Sequence, residues 1–216
     1  MSNKQEKGSR WLSSFLYAMG TTVVCFLLVF SAFFALREYM WPARYRTLIL
    51  TEAQNHHFDP LFIAAVILRE SHFRPRAVSS QNAYGLMQVK KIAVSELERL
   101  DLIEGRDNPI EELFDPQRNV QVGLTYMHHL SDRIKSKPVR VDKVVKWFDG
   151  DMTLLLCHCY HSGPTFILRD TLDAVQSRKE YEAILKEKRQ VTWGYGKDIL
   201  FYYRGLKWID SVAQYE

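Results

Sequence analysis

Only three of the 216 residues are cysteines, and one of them, Cys25, lies inside a long apolar run, so no disulfide framework can be drawn. The chain also lacks internal repeats, strand-like alternation and a glycine-rich phosphate loop, which argues against repeat, all-β and nucleotide-cradling architectures. Its net charge of +4 is mildly basic and suits an anionic polymer, but no basic-aromatic motif of a known nucleic-acid reader is present, so no nucleic-acid partner is expected. Ligand pairs at metal spacing are missing too. The run Cys157-His158-Cys159-Tyr160-His161 looks metal-like, with His128-His129 as further candidates, yet zinc sites show two separated pairs in a recognised spacing. Cys157 and Cys159 would also diverge on a helix. No metal or cofactor is expected; buried structural cysteines with a helix-exposed histidine are the simpler account.

Charge is absent from Phe15 to Leu36, a run of 22 residues. That is long enough to cross a bilayer as a helix. Trp11 and Tyr17 before it, with Tyr39 and Trp41 after it, fit interfacial aromatic belts. No small-x-small cleavage site is clear near Ala32–Leu36, so the stretch reads as an uncleaved signal anchor. The expected layout is a cytoplasmic tail at 1–14, a transmembrane anchor at 15–36 and one domain at 37–216, ample for a single core. Lys4, Lys7 and Arg10 on one side tie with Arg37, Arg44 and Arg46 on the other, so basic residues do not set the orientation.

Beyond the anchor the pattern is helical throughout, and the expected class is all-α. Helices are expected over Ala43–His57, over Lys90–Leu100 with Ile92, Val94 and Leu97 inward, and from Asp115-Pro116 to about Ile134. Asp101–Pro109 reads as a loop and Ser136–Arg140 as a breaker. Lys143–Phe148 and Met152–His161 should pair antiparallel around Asp149-Gly150, with Asp151 as a helix cap. Arg178–Gln190 reads as a solvated helix face or a mobile segment, and Trp193–Trp208 as core or cleft wall.

One carboxylate stands out. Asp59 and Pro60 suit the N-cap and first position of a helix whose residues Leu61–Leu68 are all apolar, and Phe73 with Pro75 should stop it. Glu70 then falls in the last turn, in apolar surroundings at the negative end of the helix dipole, and both raise a carboxyl pKa. A general acid for sugar cleavage must hold its proton near neutral pH, and this niche provides that. On these residues alone, a solvated carboxylate at a helix end remains the alternative.

The segment Ile67–Val89 resembles the signature of the soluble-lytic-transglycosylase family of peptidoglycan-cleaving enzymes. The matching positions are Glu70-Ser71, Phe73, Pro75, Ala77, Ser79, Ala83 and Gly85-Leu86-Met87-Gln88. Downstream, Phe114-Asp115-Pro116 with Asn119, Gly123 and Tyr126 resembles a second family block, and Tyr160 with Gly163-Pro164 a third. Thr192…Tyr195 gives a weaker fourth, and the likeness runs over about residues 45–205. The family's Asn-Ala after the tyrosine is His161-Ser162 here, a change expected to alter specificity or rate rather than abolish activity.

The resemblance implies a lysozyme-like, mainly helical domain. In it Glu70 would be the single acid/base, and Ser79, Gln88, Tyr160 and Tyr195 would contact the muramyl and glucosaminyl sugars. Met87 would pack beneath the cleft floor. Ordinary glycosidases use two carboxyls; here nothing in the sequence pairs Asp149 or Asp151 with Glu70. One carboxyl implies proton donation to the leaving oxygen, then recovery of a proton from the substrate's own 6-hydroxyl, giving 1,6-anhydromuramyl ends. A goose-type lysozyme and a non-catalytic glycan-binding or cell-wall assembly protein are the alternatives. Expected partners are peptidoglycan strands, the membrane and a cell-envelope complex. Peptidoglycan lies outside the cytoplasmic (inner) membrane, so the domain should face the periplasm.

Overall fold

The computed structural model describes residues 2–105, 107–188 and 190–213. The side chains of Lys4, Lys7 and Arg10, and residues Arg106, Arg189 and 214–216 of the expected loop, charged stretch and domain end, lie outside that description.

Residues Met1–Pro42 and Ala43–Glu216 form two units. The first is one helix, α1 (Ser2–Met40), longer than the uncharged run. Its segment Ser14–Met40 is apolar and long enough to cross a membrane. At 1.5 Å per residue it exceeds the roughly 30 Å of a bilayer's hydrocarbon core. Trp11, Tyr17 and Tyr39 are exposed.

The second unit is helical around a small hairpin, in agreement with the all-α expectation. Its elements are α2 (Ala43–Asn55), α3 (Pro60–Ser71), β1 (Ala83–Tyr84), β2 (Val89–Lys90), α4 (Lys91–Arg99) and α5 (Pro109–Glu112). They continue with α6 (Pro116–Lys135), α7 (Pro138–Phe148), α8 (Thr153–Ser162), a π-helical segment (Thr165–Leu172), α9 (Arg178–Lys188) and α10 (Gln190–Ala213). Proline opens α3, α6 and α7, where its missing N–H costs nothing. Asp59 and Asp115 cap α3 and α6, accepting from the Leu61 and Arg118 amides at 2.8 Å each.

Helix α3 is the centre of the core, with Phe62–Leu68 buried without interruption. α10 packs chiefly on α3 and α8, while α6 gathers α2, α4, α7 and α8. α7 and α8 each lie on α6 and touch one another little, so they are not the expected antiparallel pair. The turn between them has the expected chemistry: Asp149 and Gly150 take positive φ, and Asp151 Oδ1 accepts from the Thr153 amide at 2.8 Å.

Several local expectations are corrected. Helix α3 stops at His72, before Pro75 can act, because His72 and Phe73 both enter the left-handed region. The reversal buries Phe73 and stacks it on Tyr45 at 6.0 Å. Ile92 is 75% exposed, since it lies two residues from Val94 and positions i and i+2 cannot share a helix face. The charged stretch 178–188 is a helix, as the first of the two expectations had it; its charged residues are mostly exposed, while Tyr181 and Leu185, one turn apart, are buried. The π segment and the hairpin were not anticipated from the sequence.

Candidate active site

The site begins where α3 ends. Glu70 is half-buried in the last turn of a helix otherwise sunk in the core, and its Oε1 accepts a 2.6 Å hydrogen bond from the Tyr195 hydroxyl. Burial pushes the Glu70 carboxyl up from 4.5 to about 7, while the Tyr195 bond and the Arg69 and Lys90 charges pull the other way. Both of those charges are cations, and Arg69 is itself paired with Asp198. A solvated helix-end residue would have neither the partner nor the raised pKa.

Tyr195 reaches Glu70 from α10. It is fully buried, so its hydroxyl is engaged by the carboxyl rather than lining an open wall. Its ring lies 4.5 Å from the His161 ring, and the Arg69 guanidinium sits 5.5 Å from its centroid. Arg69 is held in turn by Asp198 at 2.9 Å.

The loop from Arg74 to Val89 supplies a second wall. Ser79 is half-buried and braces the turn, its Oγ accepting from the Ala83 amide at 3.1 Å. The β1–β2 hairpin pairs Ala83 with Lys90 and Tyr84 with Val89. Its connection, Gly85–Gln88, opens and closes in positive φ. Gln88 is also half-buried; its Nε2 donates to the Ala77 and Gly85 carbonyls at 3.1 and 2.9 Å. Tyr160 donates to the Met87 carbonyl at 2.8 Å and so ties α8 to the same loop. Met87 is wholly buried under it, as a floor residue would be.

Asn119 carried no assigned role in the sequence, yet it holds this loop in shape. Buried on α6, it accepts from the Met87 amide at 2.7 Å and donates to the Tyr84 and Leu113 carbonyls at 2.9 and 2.8 Å. The close approach explains Gly85: a Cβ there would lie 2.1 Å from Asn119 Nδ2, at a φ of +75°. Gly123 has the same kind of constraint, since a Cβ would meet Met87 Sδ at 2.6 Å. The available signal was a polar residue on the apolar face of α6, beside Val120 and Leu124.

The metal-like run resolves into packing. Cys157 and Cys159 are buried free thiols. His158, far from surface-exposed, is buried with Nδ1 2.8 Å from the Tyr181 hydroxyl, and burial pushes its pKa down to about 3. His161 is half-buried, with its ring 4.5 Å from that of Tyr195. Among the described residues, no three His, Cys, Asp or Glu side chains gather as a metal group would require. A shallow pocket lined by Glu112, Asp115, Gln117, Arg118 and Gln121 contains none of the expected site residues.

Comparison with known proteins gives this geometry a context. Residues 47–184 match the transglycosylase SLT domain. Membrane-bound lytic murein transglycosylase E of Buchnera aphidicola is 36% identical over 113 residues, covering 50% of this chain and 51% of that protein. Membrane-bound lytic murein transglycosylase C of Histophilus somni is 35% identical over 132 residues, covering 58% of this chain and 32% of that protein. The chain thus spans about half the length of the first relative and a third of the second. Among solved structures, the 70 kDa soluble lytic transglycosylase of Escherichia coli overlays 76% of this chain and 24% of its own with a TM-score of 0.60 at 19% identity. An inactive mutant of lytic transglycosylase Slt from Pseudomonas aeruginosa overlays 77% and 24% at 0.59 and 21%. The fold is theirs, and the domain match covers more than half the sequence: the chain belongs to the transglycosylase SLT domain family.

Proposed function

We propose that this chain is a membrane-anchored peptidoglycan lytic transglycosylase with Glu70 as its single acid/base. The observation that carries the proposal is the Glu70 carboxyl, raised to about 7 by burial and hydrogen-bonded to Tyr195. Protonated, Glu70 donates to the oxygen of the MurNAc-(β1,4)-GlcNAc bond as that bond breaks. Ionised, it then takes the proton from the muramyl 6-hydroxyl as that oxygen closes on C1. A 1,6-anhydromuramyl end forms, no water is consumed, and Glu70 regains its starting state.

Ser79, Gln88 and Tyr160 frame the sugar side of the loop, and Tyr195 sets the carboxyl's position from behind. The names of the relatives support murein as the substrate. Residues 15–36 cross the cytoplasmic membrane once, with 1–14 inside and the domain outside, where the polymer lies.

Purified sacculi digested with the full chain in detergent test the proposal by mass spectrometry. Muropeptides lighter by one water than hydrolysis products are expected, and Glu70→Gln should abolish them. Products carrying that water would indicate a lysozyme, and wall binding without soluble product a glycan-binding protein. Release at the wild-type level by Glu70→Gln would remove Glu70 from the chemistry.

A further inference from the structure

The last turn of α8 departs from the family pattern next to the proposed acid, and the structure gives the replacement residue a set of partners. His161 lays its ring against the Tyr195 ring at 4.5 Å and 35°. Its Nδ1 lies 3.2 Å from Thr192 Oγ1, and Ser162 Oγ also bonds that hydroxyl. Thr192 and Tyr195 stand three residues apart on α10 and therefore share a face. The pair His161-Ser162 thus clips the end of α8 to the turn of α10 that carries Tyr195. Arg69 approaches the same ring and is fixed by Asp198. Thr192 and Tyr195 both lie beyond residues 47–184, outside the matched family domain.

We propose that His161 is a positioning residue: it holds the Tyr195 ring so that the phenol hydroxyl stays aligned on Glu70 through the proton transfers. The proposal rests on the assignment of Glu70 made above. A hydroxyl–carboxyl hydrogen bond depends on direction, and a ring supported on its face cannot tilt freely. Displacement of a group at a reacting centre by about 1 Å can cost on the order of 100-fold in rate. A residue that acts only by holding the Tyr195 ring touches no sugar, so the expected effect is in kcat.

The test measures release of anhydro ends from soluble glycan strands by the full chain in detergent, with thermal midpoints recorded alongside. His161→Ala is expected to lower kcat about tenfold, leave KM within twofold and keep the fold. A double-mutant cycle supplies the decisive reading. Tyr195→Phe keeps the ring and removes the hydroxyl, so adding His161→Ala to it should cost less than a further twofold. Multiplying losses would overturn the proposal, because His161 would then act independently of that hydroxyl. Unaltered kcat would overturn it as well, as would a raised KM at constant kcat, the mark of a direct sugar contact. If His161→Ala does not fold, His161→Gln, which lacks the ring but can still bond Thr192, takes its place under the same criteria. Absence of anhydro product from the wild type would defeat the functional assignment itself, whereas normal wild-type release with an indifferent His161→Ala defeats this inference alone.

Discussion

At the scale of the residue, a carboxyl that titrates near 7 ties activity to pH and to stability at once. With Glu70 as the proposed acid, its protonated form persists below about 7, and kcat is expected to fall as pH rises through that value. Stability follows with a definite sign. The folded chain keeps a proton that the unfolded chain releases around 4.5, so the folded state binds more protons between 4.5 and about 7. Unfolding free energy is therefore full below that window, declines across it and levels off above it, by on the order of 2 kcal/mol for a half-buried group. Glu70→Gln cannot titrate. Its thermal midpoint should stay flatter than the wild type's from pH 5 to 8, and parallel curves would show that the carboxyl is not perturbed. The residue's helix, cap and apolar flank were legible in the sequence because they are local. Tyr195 entered the site only through the resemblance, and its bond to Glu70 was not legible, since the two lie 125 positions apart and only the packing of α10 on α3 brings them together.

At the scale of the element, the Gly85–Gln88 connection is the most constrained piece of the site. Its shape comes from two hydrogen bonds to the buried Asn119 amide, at Met87 and at the adjoining Tyr84, and from a glycine that has no room for a methyl group. Gly85→Ala combines a steric clash with a disfavoured positive φ and should cost about 3 kcal/mol or more. For a domain of this size that lowers the midpoint by roughly 10 °C. Asn119→Ala strands one amide and two carbonyls and should cost a similar amount. Chemical denaturation of both variants, with the double variant showing less than the sum, checks that they act on one structure. The motif letters around Gly85 pointed to this loop, but the reason for them lies on α6, 34 residues away. The misplaced Ile92 teaches a related lesson: a run of apolar letters does not set the phase of a helix, and the neighbours in the fold do. The π segment left no periodic signal to read, because its spacing is neither 3.6 nor 2.

At the scale of the whole molecule, the division after Pro42 predicts separable behaviour. A chain starting at Ala43 should remain in the supernatant after high-speed centrifugation and keep the helical circular dichroism of the second unit, whereas the full chain should need detergent. Loss of cooperative melting in the shortened chain would show that the second unit depends on the first. The two thiols of α8 have a use of their own. Cys157 and Cys159 are sealed in the core and raised in pKa by burial, so a maleimide reaches them only when the molecule opens. With Cys25 replaced by serine, alkylation of native protein becomes a gauge of how readily α8 opens, and its rate can be read in membranes or on sacculi, where calorimetry cannot follow.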